Sequence, residues 1–237
     1  MVIRLDKILS NNGYGSRKEI RLLAKKERIR LNQKIIKDPS VKINVETDEV
    51  EIDGIPADLR QEYTLMLNKP ADYVSSNKSE GIYPSVMNLI EERFSDKLKV
   101  AGRLDADSCG LLILTTSGKL IHEIINPNKK TEKKYLVKVK NFDEENIQEF
   151  HNGIQIEEDF ITKPVTCFNI LEKNQEYHLI ELGITEGKFH QVKRMFAHSD
   201  AEVFFLKRIS IGEIILDESL SEGCWRFFTE EERNFFN

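Results

Sequence analysis

No apolar run in this 237-residue chain approaches the roughly 20 residues that a membrane-spanning helix needs. The opening Met1-Val2-Ile3-Arg4-Leu5-Asp6-Lys7 lacks the charged-then-apolar order of a secretory signal, so a cytoplasmic protein with no membrane partner is expected. Cysteine is scarce: Cys109, Cys167 and Cys224 are scattered, odd in number and nowhere at zinc-ligand spacing, which predicts reduced thiols and no structural metal. Phosphate-binding loops are missing too, because Gly118-Lys119 is followed by Leu120 and Gly187-Lys188 by Phe189 where Ser or Thr would be required. There is no Gly-x-Ser-x-Gly, and the five histidines, His122, His151, His178, His190 and His198, fall on separate predicted elements. Nucleotide hydrolases and serine or cysteine hydrolases are set aside on these grounds. Internal repeats and low-complexity tracts are absent as well.

What is present is a soluble-protein composition, 40% apolar and 32% charged, whose net charge of −5 conceals an asymmetry. Residues 1–45 carry 12 Lys and Arg against 4 Asp and Glu, leaving the rest of the chain at −13. A basic module meeting a polyanion, attached to a body with different chemistry, accounts for this polarity; a merely solvated charged helix accounts for it equally well on composition alone.

Along the chain, Leu5, Ile8 and Leu9 stand at helical spacing before Gly13, and Ser16-Arg17-Lys18-Glu19 is a capping-box pattern opening a second helix. Ile20, Leu23 and Ala24 form its apolar stripe, leaving Arg17, Lys18, Arg21, Lys25 and Lys26 outside. Short alternating runs follow, with a turn at Asn32-Gln33. The Gly, Pro and polar residues from Gly54 to Glu62 read as a linker and predict domains 1–58 and 62–237. In the second, strands are expected at 63–69, 111–114, 134–140, 154–156, 176–184 and 203–211. Helices are expected after Pro84, after Ser117, over 142–150, after Gly187 and after Thr229. The fold class is α+β: a small basic module of helices and short strands, then a mixed, largely antiparallel sheet flanked by helices.

The most informative stretch is Ala101-Gly102-Arg103-Leu104-Asp105-Ala106-Asp107-Ser108-Cys109-Gly110, running into Leu111-Leu112-Ile113-Leu114. Alone, Asp105 could be a helix cap or a surface ion-pair partner. Flanking glycines, a neighbouring arginine and a following strand make it a candidate reactive carboxylate on a rigid turn. Asp105 and Asp107 have no further acidic or histidine ligand nearby in sequence, so no metal is expected.

These residues carry two resemblances. Arg4-Leu5-Asp6-Lys7, Ser16-Arg17 and Arg30-Leu31-Asn32 resemble the S4 RNA-binding domain over residues 4–54. The likeness implies folded RNA as partner, with Arg17, Lys18, Arg21 and Lys25 as contacts that position the protein without reading sequence. From Tyr63 onward, Asn68-Lys69-Pro70, Gly102-Arg103-Leu104-Asp105, Lys134-Tyr135-Leu136-Val137 and Gly187-Lys188-Phe189-His190-Gln191-Val192-Lys193-Arg194-Met195 resemble, in order and spacing, the motifs of the RsuA/RluB/RluE/RluF family of pseudouridine synthases. Thr162-Lys163-Pro164 and a short 71–83 loop look most like the RsuA branch, which acts on small-subunit (16S) rRNA.

The family resemblance implies Asp105 as catalytic aspartate, Tyr135 packed on the target base, and Lys193 paired with the aspartate. Arg103, His190, Gln191 and Arg194 become expected RNA contacts beside the site. The expected partner is rRNA, free or in a pre-ribosomal particle. Large-subunit (23S) rRNA as substrate and a non-catalytic S4-type binder are the alternatives. Isomerising uridine breaks the N1–C1′ bond and joins C5 to C1′ with no redox step or external group, so no cofactor is expected. An ionised carboxylate can serve by adding to the base or by acting at C1′. Three departures stand out: Ser108-Cys109 where a threonine is usual, Asp72 where glycine is common, and Thr116-Ser117-Gly118 where Asn-Asp-Gly is frequent.

Overall fold

A computed structural model describes residues 2–235, and the chain divides into two compact units. The first comprises Met1–Tyr63 together with Ile90–Leu98, the second Thr64–Leu89 with Lys99–Asn237. The contiguous split expected from the linker therefore omits one segment. Ile90–Leu98 joins the first unit because Arg93 covers Tyr14, 4.3 Å from its ring and bonded to its hydroxyl at 3.0 Å, and Phe94 stacks on Tyr63 at 3.9 Å.

In the first unit, β1 (Val2–Arg4) leads into α1 (Leu5–Asn11) and α2 (Arg17–Lys25). The capping box forms as the sequence dictates: Ser16 accepts from the Glu19 amide and the Glu19 carboxylate accepts from the Ser16 amide. A four-stranded sheet follows in the order β3 (Lys34–Ile35), β2 (Ile29–Leu31), β5 (Val50–Ile52), β6 (Ile55–Pro56), while β4 (Lys42–Asn44) pairs with β1. Asn32 and Gln33 both take positive φ, the geometry of a tight hairpin turn. Leu5, Ile8, Leu9, Ile20, Ala24, Ile29, Ile43 and Val50 form one core.

The second unit is built on a nine-stranded sheet whose main path runs β13 (Cys167–Lys173), β14 (His178–Ile184), β10 (Lys133–Lys140), β15 (Glu202–Ile211), β9 (Cys109–Thr115), β7 (Thr64–Lys69), β17 (Trp225–Phe227). β8 (Lys99–Ala101) pairs with β9, and β16 (Ile214–Ile215) with β15. Only the β15–β9 pairing is parallel, so the expected mixed, mostly antiparallel α+β architecture is present. The helices are α3 (Gly118–Ile125), α4 (Ile147–Asn152), α5 (Gln191–Ala197) and α6 (Glu230–Asn234).

Several expectations are corrected. The helix after Pro84 is a 3-10 turn over Val86–Leu89, and 142–150 is a 3-10 turn at Glu144–Asn146 leading into α4. Ser117 makes no side-chain cap; its amide instead donates to Thr115 Oγ1 at 3.0 Å. β13 went unread because, as an outer strand with most residues half or fully exposed, it lacks strong alternation. β7 lies inside the sheet between β9 and β17, and its residues from Leu65 to Lys69 are all buried.

Candidate active site

One edge of β9 is shared by two strands. β15 pairs in parallel with Cys109 and Gly110, and β8 runs antiparallel to Ile113, Leu114 and Thr115. Between them the Leu111 carbonyl is left to a side chain, and residues 102–108 loop out from β8 before returning into β9. Asp105 sits on that loop. Gly102 and Gly110 bound it with φ of 83° and 96°, and a Cβ on Gly110 would lie 2.3 Å from the Arg208 carbonyl oxygen, so only glycine lets β15 approach.

Two buried cations hold the loop from inside. Arg208, 1% exposed, donates from Nε to Leu111 O (2.8 Å), from Nη2 to Gly102 O (2.9 Å) and from Nη1 to Arg103 O (3.3 Å). Lys69, fully buried, donates from Nζ to the carbonyls of Pro70 (3.0 Å), Ala106 (3.0 Å) and Ser108 (2.6 Å). Ser75 exchanges hydrogen bonds with both backbone groups of Leu104, and the Asp72 amide donates to Ala106 O. Asp72 has φ of 64°, which explains why glycine suits this position and why an aspartate can replace it. The main chain on both sides of Asp105 is thus held at the carbonyls of residues 102, 103, 104, 106 and 108, and none of these bonds uses the Asp105 carboxylate.

Sequence reasoning placed Lys69 at a strand end and in the Asn68-Lys69-Pro70 motif without giving it a role, and passed over Arg208. The adjacent charges Lys207 and Arg208 inside the otherwise apolar run 203–211 were the available signal.

Burial lowers Lys69 to about 8, opposed by the nearby Cys109, Asp107, Asp105 and Asp72 charges, and burial also lowers Lys133 to about 8. A lysine with a depressed folded value binds fewer protons folded than unfolded between about pH 8 and its unfolded value, so stability rises with pH in that window. The urea midpoint should therefore increase from pH 8 to about 9.5. In Lys69→Met that rise should shrink by about 1 kcal/mol per pH unit in unfolding free energy. An equal rise in both proteins would contradict the assignment to Lys69.

Around the carboxylate, Lys193 Nζ lies 3.7 Å from Asp105 Oδ2 and His190 Nε2 lies 3.4 Å from Oδ1. Lys193 binds Asp107 more closely, at 2.5 and 2.6 Å, so the expected pairing with Asp105 alone is corrected to a lysine shared by two carboxylates. Asp107 is held below the ordinary carboxylate range: burial pushes it up, and the hydrogen bond and charge of Lys193 outweigh that. Tyr135, 7% exposed on β10 and in register with Arg208, shares with Asp105 a cleft also lined by Arg103, Ile184, His190 and Leu206.

Two expected RNA contacts are used internally. Gln191 is buried, donating to Glu186 Oε1 at 2.8 Å and accepting from the Lys188 amide at 2.9 Å. Arg194 binds Glu157 at 2.7 Å and the Ile156 carbonyl, tying α5 to the hairpin of β11 (Gln155–Glu157) and β12 (Phe160–Ile161). Arg103 and His190 remain accessible at the cleft. In the first unit Arg17, Lys18 and Lys25 are exposed, whereas Arg21, although exposed, leans to within 3.8 Å of the buried Asp6, which also takes a two-pronged bond from Arg4.

A basic helix-and-hairpin unit in one part of the chain and, in the other, a carboxylate on a braced turn in one cleft with a tyrosine fit the class of enzymes that act on RNA. Residues 63–198 match the RNA pseudouridylate synthase family and residues 3–50 the S4 domain. The chain belongs to the RNA pseudouridylate synthase family, and its activity is that of an isomerase. It is 38% identical to a Bacillus subtilis protein named uncharacterized RNA pseudouridine synthase YtzG, covering 99% of this chain and 98% of that one. It is 37% identical to the ribosomal small subunit pseudouridine synthase A of Haemophilus influenzae, with 97% of each covered. A crystal structure of a pseudouridylate synthase superposes with a TM-score of 0.68 at 35% identity, covering 99% of this chain and 100% of that one.

Proposed function

We propose that this protein converts a uridine of small-subunit rRNA to pseudouridine in the cytoplasm, with Asp105 as the reacting carboxylate. The observation that carries the reading is the placement of Asp105 and Tyr135 in one cleft with Lys193 at 3.7 Å from the carboxylate. A uridine inside a helix cannot reach such a cleft, so the nucleotide leaves its stack. The Tyr135 ring then replaces the lost stacking under the uracil, and Arg103, exposed at the mouth, braces the vacated position.

In the reaction the N1–C1′ bond breaks, the uracil turns, and C5 bonds to C1′. The C5 hydrogen leaves as a proton and N1 ends protonated. Lys193, 3.7 Å from Asp105 Oδ2, stands beside the carboxylate that either route uses. The first unit supplies sequence-independent grip through Arg17, Lys18, Arg21 and Lys25, and RNA affinity falls steeply with salt. Small-subunit rRNA is the proposed substrate because relatives alike over nearly their whole length bear that name.

Mapping rRNA pseudouridines in cells with and without the gene tests the reading. One small-subunit site should disappear on deletion and return with the intact gene. Loss of a large-subunit site instead would reassign the substrate, and an unchanged map would overturn the proposal.

A further inference from the structure

Phe189 is 71% exposed, an unusual position for a phenylalanine that follows the cleft residue Lys188. Its exposure is held in place. His190, with φ of 49°, turns the chain just before α5, and the Phe189 ring lies on the His190 imidazole at 3.8 Å and 19° between planes. The turn beneath is pinned by Gln191, which accepts from the Lys188 amide and donates to Glu186, and by Arg194, which donates to the Phe189 carbonyl at 3.4 Å. One face of the phenyl ring is therefore covered by an imidazole that itself reaches Asp105, and the remainder is open to solvent.

We propose that Phe189 is a stacking platform for an unpaired nucleobase of the RNA substrate, next to the nucleotide held in the Asp105 cleft. This deepens the proposed function and rests on the cleft receiving a nucleotide. Extracting one nucleotide unstacks its neighbours, and a rigid aromatic face recovers that stacking whatever the base. An exposed cation next in the chain favours RNA over an apolar occupant: Lys188, whose ammonium lies 4.5 Å from the Phe160 ring centroid.

The test measures binding of the full-length protein to a fluorescein-labelled uridine 12-mer and to an abasic ribose-phosphate 12-mer by fluorescence anisotropy. Phe189→Ala should weaken binding of the base-bearing oligomer about 5- to 10-fold and leave the abasic one unchanged. Phe189→Tyr should stay within about 2-fold of the unsubstituted protein, because the ring is kept. The proposal is overturned by equal loss on both oligomers, by no loss, by retained affinity in Phe189→Leu, or by equal affinity of the unsubstituted protein for both. Release of tritium from small-subunit rRNA carrying [5-³H]uridine is measured in parallel with the unsubstituted protein. Absent release with base-selective loss in Phe189→Ala would reject the function and keep the platform; release without that loss would do the reverse.

Discussion

Asp105→Asn should reduce release of tritium from rRNA labelled at uridine C5 by about 10⁴-fold or more, while the protein still folds and binds RNA. The amide has the shape of the carboxylate but neither its charge nor its nucleophilicity, so every step that needs the anion is lost. Folding is spared because the loop is held by its main chain: Arg208, Lys69 and Ser75 bond the carbonyls of residues 102, 103, 104, 106 and 108, and none of them uses the Asp105 side chain. The amide gives up the ion pair of Asp105 with Lys193 at 3.7 Å, partly exposed and worth about 0–1 kcal/mol, and keeps a polar contact with His190 at 3.4 Å. Tritium release thus drops while the thermal midpoint moves by no more than about 3 °C. Release within about 100-fold of the unsubstituted enzyme would remove Asp105 from the reaction.

Arg208→Met has its largest effect on stability. Methionine fills much of the same space but donates nothing, leaving the carbonyls of Leu111, Gly102 and Arg103 without their buried donor. Among the described residues no carboxylate stands within ion-pair distance of Arg208, so the side chain works as a threefold donor rather than as half of a salt bridge. Loss of several buried hydrogen bonds to a charged group costs about 3–5 kcal/mol, which for a chain of this size lowers the thermal midpoint by about 10 °C. Arg208→Lys keeps the charge but not the fork, and should fall between the two. Thermal denaturation followed by circular dichroism decides it; a midpoint within about 2 °C for Arg208→Met would show that the loop is held by other means.

Local signals carried far in this chain. The capping boxes at Ser16 and Thr229 formed because donor, acceptor and helix start lie within four residues. Tyr135, Val137 and Val139 turned inward together because strand side chains alternate. Gln191 and Arg194 show where such reading stopped. Their positions on a helix were visible, but whether they faced RNA depended on Glu186 and Glu157, each on another element. Lys193 was read as the partner of Asp105, and the curl of residues 105–108 brought Asp107 closer.

By itself the sequence determined the two modules, the α+β class, the Asp105 loop between glycines and the family, because each is written in residue order, spacing and periodicity. The tertiary structure alone decided how the carboxylate is held and what surrounds it. Arg208 lies about 100 residues from the carbonyls it binds and His190 and Lys193 more than 80 from Asp105, separations that no local rule spans. Closing them requires β15 to pair in parallel with β9 while β8 takes the rest of that edge, a choice made by the packed sheet as a whole.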